Sequence, residues 1–169
     1  DLKVEFGNDV LSYDFSVESR FQAPSVTNSA WDFKTQSLVE EKSSEPGLNQ
    51  QGNLKGIELG RKIGLSAIST STTGSIEKNE LKAWADAQLT RDRMSMMQGT
   101  ITFFGNAKPK LNTLLEMNGF GDRFNGNALI TSIQHSVREG LWHTTVGFGL
   151  APEWHYEQRA VSAPSTGGL

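Results

Sequence analysis

The chain has 169 residues, 36% of them hydrophobic, and 16 Lys+Arg against 19 Asp+Glu leave a net charge of -3. That length suits one domain, and the slightly acidic balance excludes a nucleic-acid protein that relies on a broad basic footprint. With no Cys, disulfide scaffolds, cysteine zinc sites, iron–sulfur clusters and thiol nucleophiles are excluded, and with no run of about 18 apolar residues no stable membrane insertion is expected.

The opening DLKVEFGN has neither Met nor a basic-then-apolar leader, so no signal peptide is expected and the chain reads as a piece of a longer polypeptide. VLSYDFSVESRF predicts a half-buried strand whose apolar face holds Leu11, Tyr13, Phe15 and Val17. A second strand is expected over 25–36, anchored by Val26, Trp31 and Phe33. Residues 42–56 collect Ser, Pro, Gly, Asn and Gln and read as a loop with a tight turn at Pro46-Gly47. A short helical turn over 54–62 would complete an excursion at about 42–64, and 65–73 looks strand-like. The strongest helix signal lies at 77–97, with Ser75 as N-cap, Glu77 and Glu80 in the first turn and Gly99 closing it. Its stripe is Leu81, Trp84, Ala85, Gln88, Leu89 and Met96. A helix of that size, roughly 30 Å long, is expected to cross a sheet or barrel face.

Strands at 100–104 and 113–117 follow, then a hairpin in which 129–138 and 141–150 flank Glu139-Gly140, a two-residue turn. That turn pairs Val137 with Trp142, His135 with Thr144, Ile133 with Val146, Thr131 with Phe148 and Leu129 with Leu150. One face is then apolar, and the other carries Ser132, Gln134, Ser136, His143 and Thr145. An inward Trp142 implies a loss of about 3–5 kcal/mol on truncation to Ala. Residues 159–169 are small, polar and rich in Pro and Gly, and read as a linker.

Three histidines raise the question of a metal, but the register sends His135 and His143 to opposite faces and leaves His155 with only Glu153 and Glu157 nearby. A zinc site needs three or four converging ligands, so none is expected. The segment 119–126 (GFGDRFNG) is glycine-rich like a phosphate loop, yet it lies between strands, without the following helix whose N–H groups would face a phosphate. Its glycines read as a tight inter-strand loop. No Gly-x-Ser-x-Gly elbow is present, and no cofactor site emerges. A hydrolase using Asp86, Asp92 or His135 is the weakest reading, so no enzymatic activity is expected. Trp31 or Trp154 could stack on sugars, which leaves a secreted carbohydrate-binding β-module as the alternative. Core packing accounts for Trp84 and Trp142, and Trp154, just after Pro152, reads as a lid on a barrel end.

The run QGTITFFGNAKPK…LLEMNGFGDRFNGNALITSIQHSVREGLWHTTVGFGLAPEW resembles the C-terminal part of the hub region of VgrG proteins, the tips of type VI secretion systems, related to the phage late-control D family and contractile-tail baseplate hubs. SVTNSAWDF, EPGLNQQGN and ELKAWADAQL match in order upstream. The resemblance implies a mainly β, α+β fold with one long helix: a tail-tube-like antiparallel β-barrel over 1–158 with the helix packed on it, followed by a linker toward a spike. It implies a structural, non-enzymatic part that joins tail tube to spike as a homotrimer and carries effector cargo, assembled in the bacterial cytoplasm and then exported with the apparatus. Its structural motif falls on Gly119, Gly121, Phe124, Asn125, Gly126, His135, Gly140, Trp142, Thr144, Pro152 and Trp154. No catalytic residue, metal or nucleic-acid partner is implied.

Overall fold

The computed structural model describes residues 2–49, 51–72, 74 and 76–151. In chain order these form β1 (Leu2–Glu5), β2 (Val10–Val17), β3 (Val26–Asp32), β4 (Ser37–Lys42), α1 (Gly56–Lys62), β5 (Ile68–Thr72), α2 (Lys78–Met94), β6 (Met97–Phe104), β7 (Leu114–Asn118), β8 (Gly126–Arg138) and β9 (Leu141–Phe148). The fold is mainly β with two helices. A six-stranded sheet runs β1-β7-β8-β9-β6-β2, and a three-stranded sheet runs β4-β3-β5.

The larger sheet is curled. Its two edge strands, β1 and β2, are joined by only residues 6–9, so the edges must meet at that end. Phe6 and Tyr13 touch there, ring centroids 5.3 Å apart. Among the described residues no ladder joins β1 to β2, so this is an open half-barrel, where a closed barrel was expected. The corner is made by β8, which pairs with β7 through 126–129 and with β9 from Ile130 onward, its ladder slipping between Ile130 and Ser132. A strand that changes partners at a bulge is how sheets turn corners. Nor is the fold purely antiparallel: β1 runs parallel to β7 and β5 parallel to β3.

Inside the curl sits the main core, including Val4, Ile101, Leu115, Met117, Ile130, Val146 and Phe148, all at most 3% exposed. The long helix does not lie on this sheet. Leu81, Ala85 and Leu89, at the i, i+4, i+8 spacing of one helix face, turn toward β3, and Ala85 and Leu89 form a second core cluster with Val26. Trp84, expected in that stripe, is 48% exposed because its position falls beside the buried row. The helix starts after Glu77, the expected cap Ser75 lies outside the described residues, and it ends at Met94 with Ser95 as C-cap. Gly99 is no helix stop; it lies in β6 opposite Phe15, where the Asp14 carbonyl and the Phe15 ring occupy the space a side chain would need. The second expected strand, 25–36, ends at Asp32: β3 turns at 33–36 into β4, which was not foreseen, leaving Trp31 and Phe33 exposed instead of anchoring the core.

The excursion is tied down at both ends. The Ser43 amide donates to the Val26 carbonyl (2.8 Å), and the Ser44 amide to Asp86 Oδ1 (2.7 Å). Arg93, its side chain 6% exposed, grips Glu45 through Nε (2.6 Å) and Nη2 (2.9 Å). At the far end the Gly52 amide donates to the Asn125 carbonyl (2.7 Å). Residues 43–49 and 51–52 thus act as a strap from the small sheet and α2 to the loop between β7 and β8.

Candidate functional site

The β8–β9 hairpin forms through the expected turn: Glu139 and Gly140 have φ of 52° and 78°, the left-handed pair that a two-residue hairpin turn requires. Val137–Trp142, His135–Thr144 and Ile133–Val146 pair as the turn dictates. Below them the bulge pairs Ile130 with Phe148, so Thr131 does not face Phe148. The ladder with β8 ends there, and β9 stops before Gly149 (φ 82°), so Leu129 does not face Leu150.

The pairings across β2, β6, β9 and β8 assign each side chain to a face. Ser12, Asp14 and Ser16 lie opposite Thr102, Thr100 and Gln98. Thr102 and Thr100 in turn meet Thr145 and Gly147, which meet Gln134 and Ser132. Four strands therefore present one continuous surface of small hydroxyls and amides, where Thr102 and Thr145 hydrogen-bond side chain to side chain (2.8 Å). The opposite face is the apolar core. At the end of the polar face Phe104, 61% exposed, stacks beside His143 at 6.3 Å. This two-sided wall is the candidate functional surface.

Five residues of the sequence motif, Gly119, Gly121, Phe124, Asn125 and Gly126, lie in the loop after β7 and at the start of β8. Gly119 and Gly121 take φ of 80° and 82° in the loop after β7, and Gly126 opens β8. Asn125 closes the loop, its Oδ1 accepting from the Phe120 amide (2.8 Å). The loop drives Phe120 and Phe124 into a ring cluster with Phe6, Tyr13, Phe15 and Phe148, centroids 4.9 to 5.7 Å apart. Sequence reading missed this plug; its signal was the pair of phenylalanines spaced four apart within a glycine-rich loop.

Near the hairpin tip, Thr144 is fully buried, its Oγ1 taking the Asn106 amide (3.0 Å) and lying 3.0 Å from His135 Nδ1. Trp142 Nε1 donates to the same nitrogen (3.4 Å). Trp142 is not a core residue: it is 40% exposed, laid over Gly105 at the sheet end, because the strands run past the region the core fills. Val137 beside it is 71% exposed for the same reason.

The residues considered for hydrolysis are scattered. Asp86 pairs with Lys82 (2.8 Å) and is held below the usual carboxylate range by that side chain and the Ser44 amide. Asp92 is buried at the end of α2, and His135 stands on the other sheet. His135 and His143 sit on opposite faces of the hairpin. Among the described residues no group of three or more His, Asp or Glu side chains is placed to hold a metal ion, and no helix is long and apolar enough to cross a membrane. His155, Pro152 and Trp154, and the expected linker 159–169, lie outside the described residues.

Residues 1–139 match the family of the Alg8 N-terminal domain. The chain belongs to that family. No curated protein sequence matches it. Among solved structures, the 43 kDa tail protein of prophage MuSo2 from Shewanella oneidensis is similar, at 12% identity and a TM-score of 0.60, over 88% of this chain and 41% of that one. A tail protein from Neisseria meningitidis MC58 is similar at 12% identity and a TM-score of 0.60, over 90% of this chain and 45% of that one. This chain spans less than half the length of either, and the likeness is one of fold. The fold is one that phage tail proteins use.

Proposed function

We propose that this domain is a structural, non-enzymatic hub component of a contractile injection apparatus, of the phage-baseplate or type VI secretion kind, joining the tail tube to a puncturing spike through a homotrimer. The observation that carries this reading is the two-sided wall: one face packed on the apolar core through Ile101, Val146 and Phe148, the other a hydroxyl and amide surface with a single carboxylate, Asp14, along four strands. Such a face stays wet without binding tightly to what passes it. The open edges β1 and β2 suit a ring in which neighbours cover them, since exposed strand edges are otherwise aggregation sites. Rings of this kind close through rotationally related contacts. The fold shared with tail proteins supports the same assignment. Light scattering on the domain joined to its spike should return trimers, and a monomer at every concentration would refute the proposal. The carbohydrate-binding alternative rests on Trp31, 43% exposed on β3; glycan binding abolished by Trp31→Ala would favour it.

A further inference from the structure

The corner strand β8 leaves an edge open. Its ladder with β7 covers Gly126 to Leu129, and Asn112 and Thr113 hydrogen-bond to Ile130. Beyond that point, among the described residues, no strand flanks the outer side of 131–138. Across the same four strands β2 is the other free edge. Three antiparallel ladders join β2, β6, β9 and β8, so β2 and β8 run in opposite directions. A second copy in the same orientation therefore lays its β2 antiparallel beside this β8.

Both edges carry apolar side chains that their own chain leaves uncovered. On the core side of β2, Tyr13 and Val17 are 50% and 37% exposed, and on the core side of β8 Val137 is 71% exposed. The other side presents Ser12, Asp14 and Ser16 on β2, and Ser132, Gln134, Ser136 and Arg138 on β8. In a shared antiparallel ladder, polar meets polar and apolar meets apolar whenever the paired residue numbers sum to an even value; a slip of one residue exchanges the faces. Charge then selects the partner edge. The β2 edge is acidic, with Asp9 before it, Asp14 on it, and Glu18 after it neutralised by Arg20. The β8 edge carries Arg138, with Glu139 next to it in the turn. Setting β2 against another β2 brings like carboxylates together, whereas β8 offers Asp14 an opposite charge. Setting β8 against another β8 leaves Tyr13 and Val17 bare in both copies.

We infer that β2 of one copy pairs antiparallel with residues 131–138 of the next, carrying the two-sided wall from chain to chain. Such a head-to-tail contact closes into a ring or runs on as a filament. The inference deepens the hub reading and rests on it for the closed ring.

The chain has no cysteine, so introduced ones report alone. The full 169-residue chain carrying Ser16→Cys is mixed in turn with chains carrying Ser132→Cys, Gln134→Cys or Ser136→Cys on the polar side, and Val137→Cys on the other. Facing positions of a ladder bring their Cβ atoms to about 4.5–5.5 Å, a small adjustment from a disulfide. Mild oxidation, from micromolar to millimolar protein, should give a covalent mixed dimer in at least one polar-side mixture and none with Val137→Cys. Absence of a mixed dimer from all three polar-side mixtures overturns the inference, as does equal linking through Val137→Cys. Ser16→Cys linking to itself more than to its partners also overturns it, because β2 then meets β2. Trimers of the spike-joined domain without mixed dimers would sink this pairing and leave the hub reading standing; mixed dimers from a domain that never forms trimers would do the reverse.

Discussion

Asp92 gives the sharpest test of the energetics. It is 3% exposed, its Oδ1 takes Gln88 Nε2 at 3.0 Å, and its Oδ2 has no hydrogen-bond partner. Burial raises its pKa from 3.8 to about 6, outweighing the Gln88 hydrogen bond and the charges of Arg93 and Arg91. At about 1.4 kcal/mol for each tenfold change in proton affinity, that displacement means the ionised form costs the fold about 3 kcal/mol. The folded protein binds this proton more tightly than the unfolded chain, so the contribution is fully present below pH 3.8 and is lost as pH rises through about 6. Between pH 5 and pH 7 the loss is about 1 kcal/mol. Asp92→Asn removes that dependence while keeping an oxygen for Gln88. Urea unfolding of both proteins at pH 5 and 7 measures the difference. The unaltered chain should lose about 1 kcal/mol more than the variant over that interval. Equal pH dependence in the two would refute the assignment of a strained, half-satisfied carboxyl to this position. Carboxylates with lowered pKa, such as Asp86 and Glu116, act with the opposite sign and below this window.

Three further substitutions probe the hairpin and the strap. Trp142→Ala should cost about 1–2 kcal/mol in thermal or urea unfolding, below the roughly 3–5 of a filled core position, whereas Gly105→Ala should cost as much or more because a Cβ there would overlap the Trp142 ring. Arg93→Ala strands Glu45 and Gln22; with Glu45 half exposed, the expected loss is about 1–3 kcal/mol, and hydrogen exchange should rise over 43–49 while β8 and β9 keep their protection.

Local signals carried well from sequence to fold, and distant ones did not. Glu139-Gly140 set the upper register of the hairpin because a two-residue turn leaves no freedom in its pairing. Its lower register slipped because the bulge at Thr131 serves the corner of the half-barrel, a demand made by β7 and invisible within the hairpin. The helix was legible from Leu81, Ala85 and Leu89, yet its partner sheet was not, since periodicity shows a buried face and says nothing of what covers it. β1 went unseen because four residues bear too short a pattern, and β4 because Glu40, Glu41 and Lys42 break up the apolar alternation of so short a run. Within the candidate surface, the polar row from Ser132 to Thr145 was readable from alternation alone. The aromatic plug was not, because its six rings come from four separate stretches of chain.

The turn at residues 6–9 has a bearing on how this chain comes to its final form. It leaves β1 and β2 as neighbours in sequence that hydrogen-bond to strands near the far end, β1 to β7 and β2 to β6. Sequence-distant pairings of that sort form slowly, since a long loop must close before they are rewarded. Within this domain, β1 and β2 thus wait for partners that come later in the chain. Until β6 and β7 arrive, Phe6, Tyr13 and Phe15 wait uncovered, apolar rings that a chaperone would shelter.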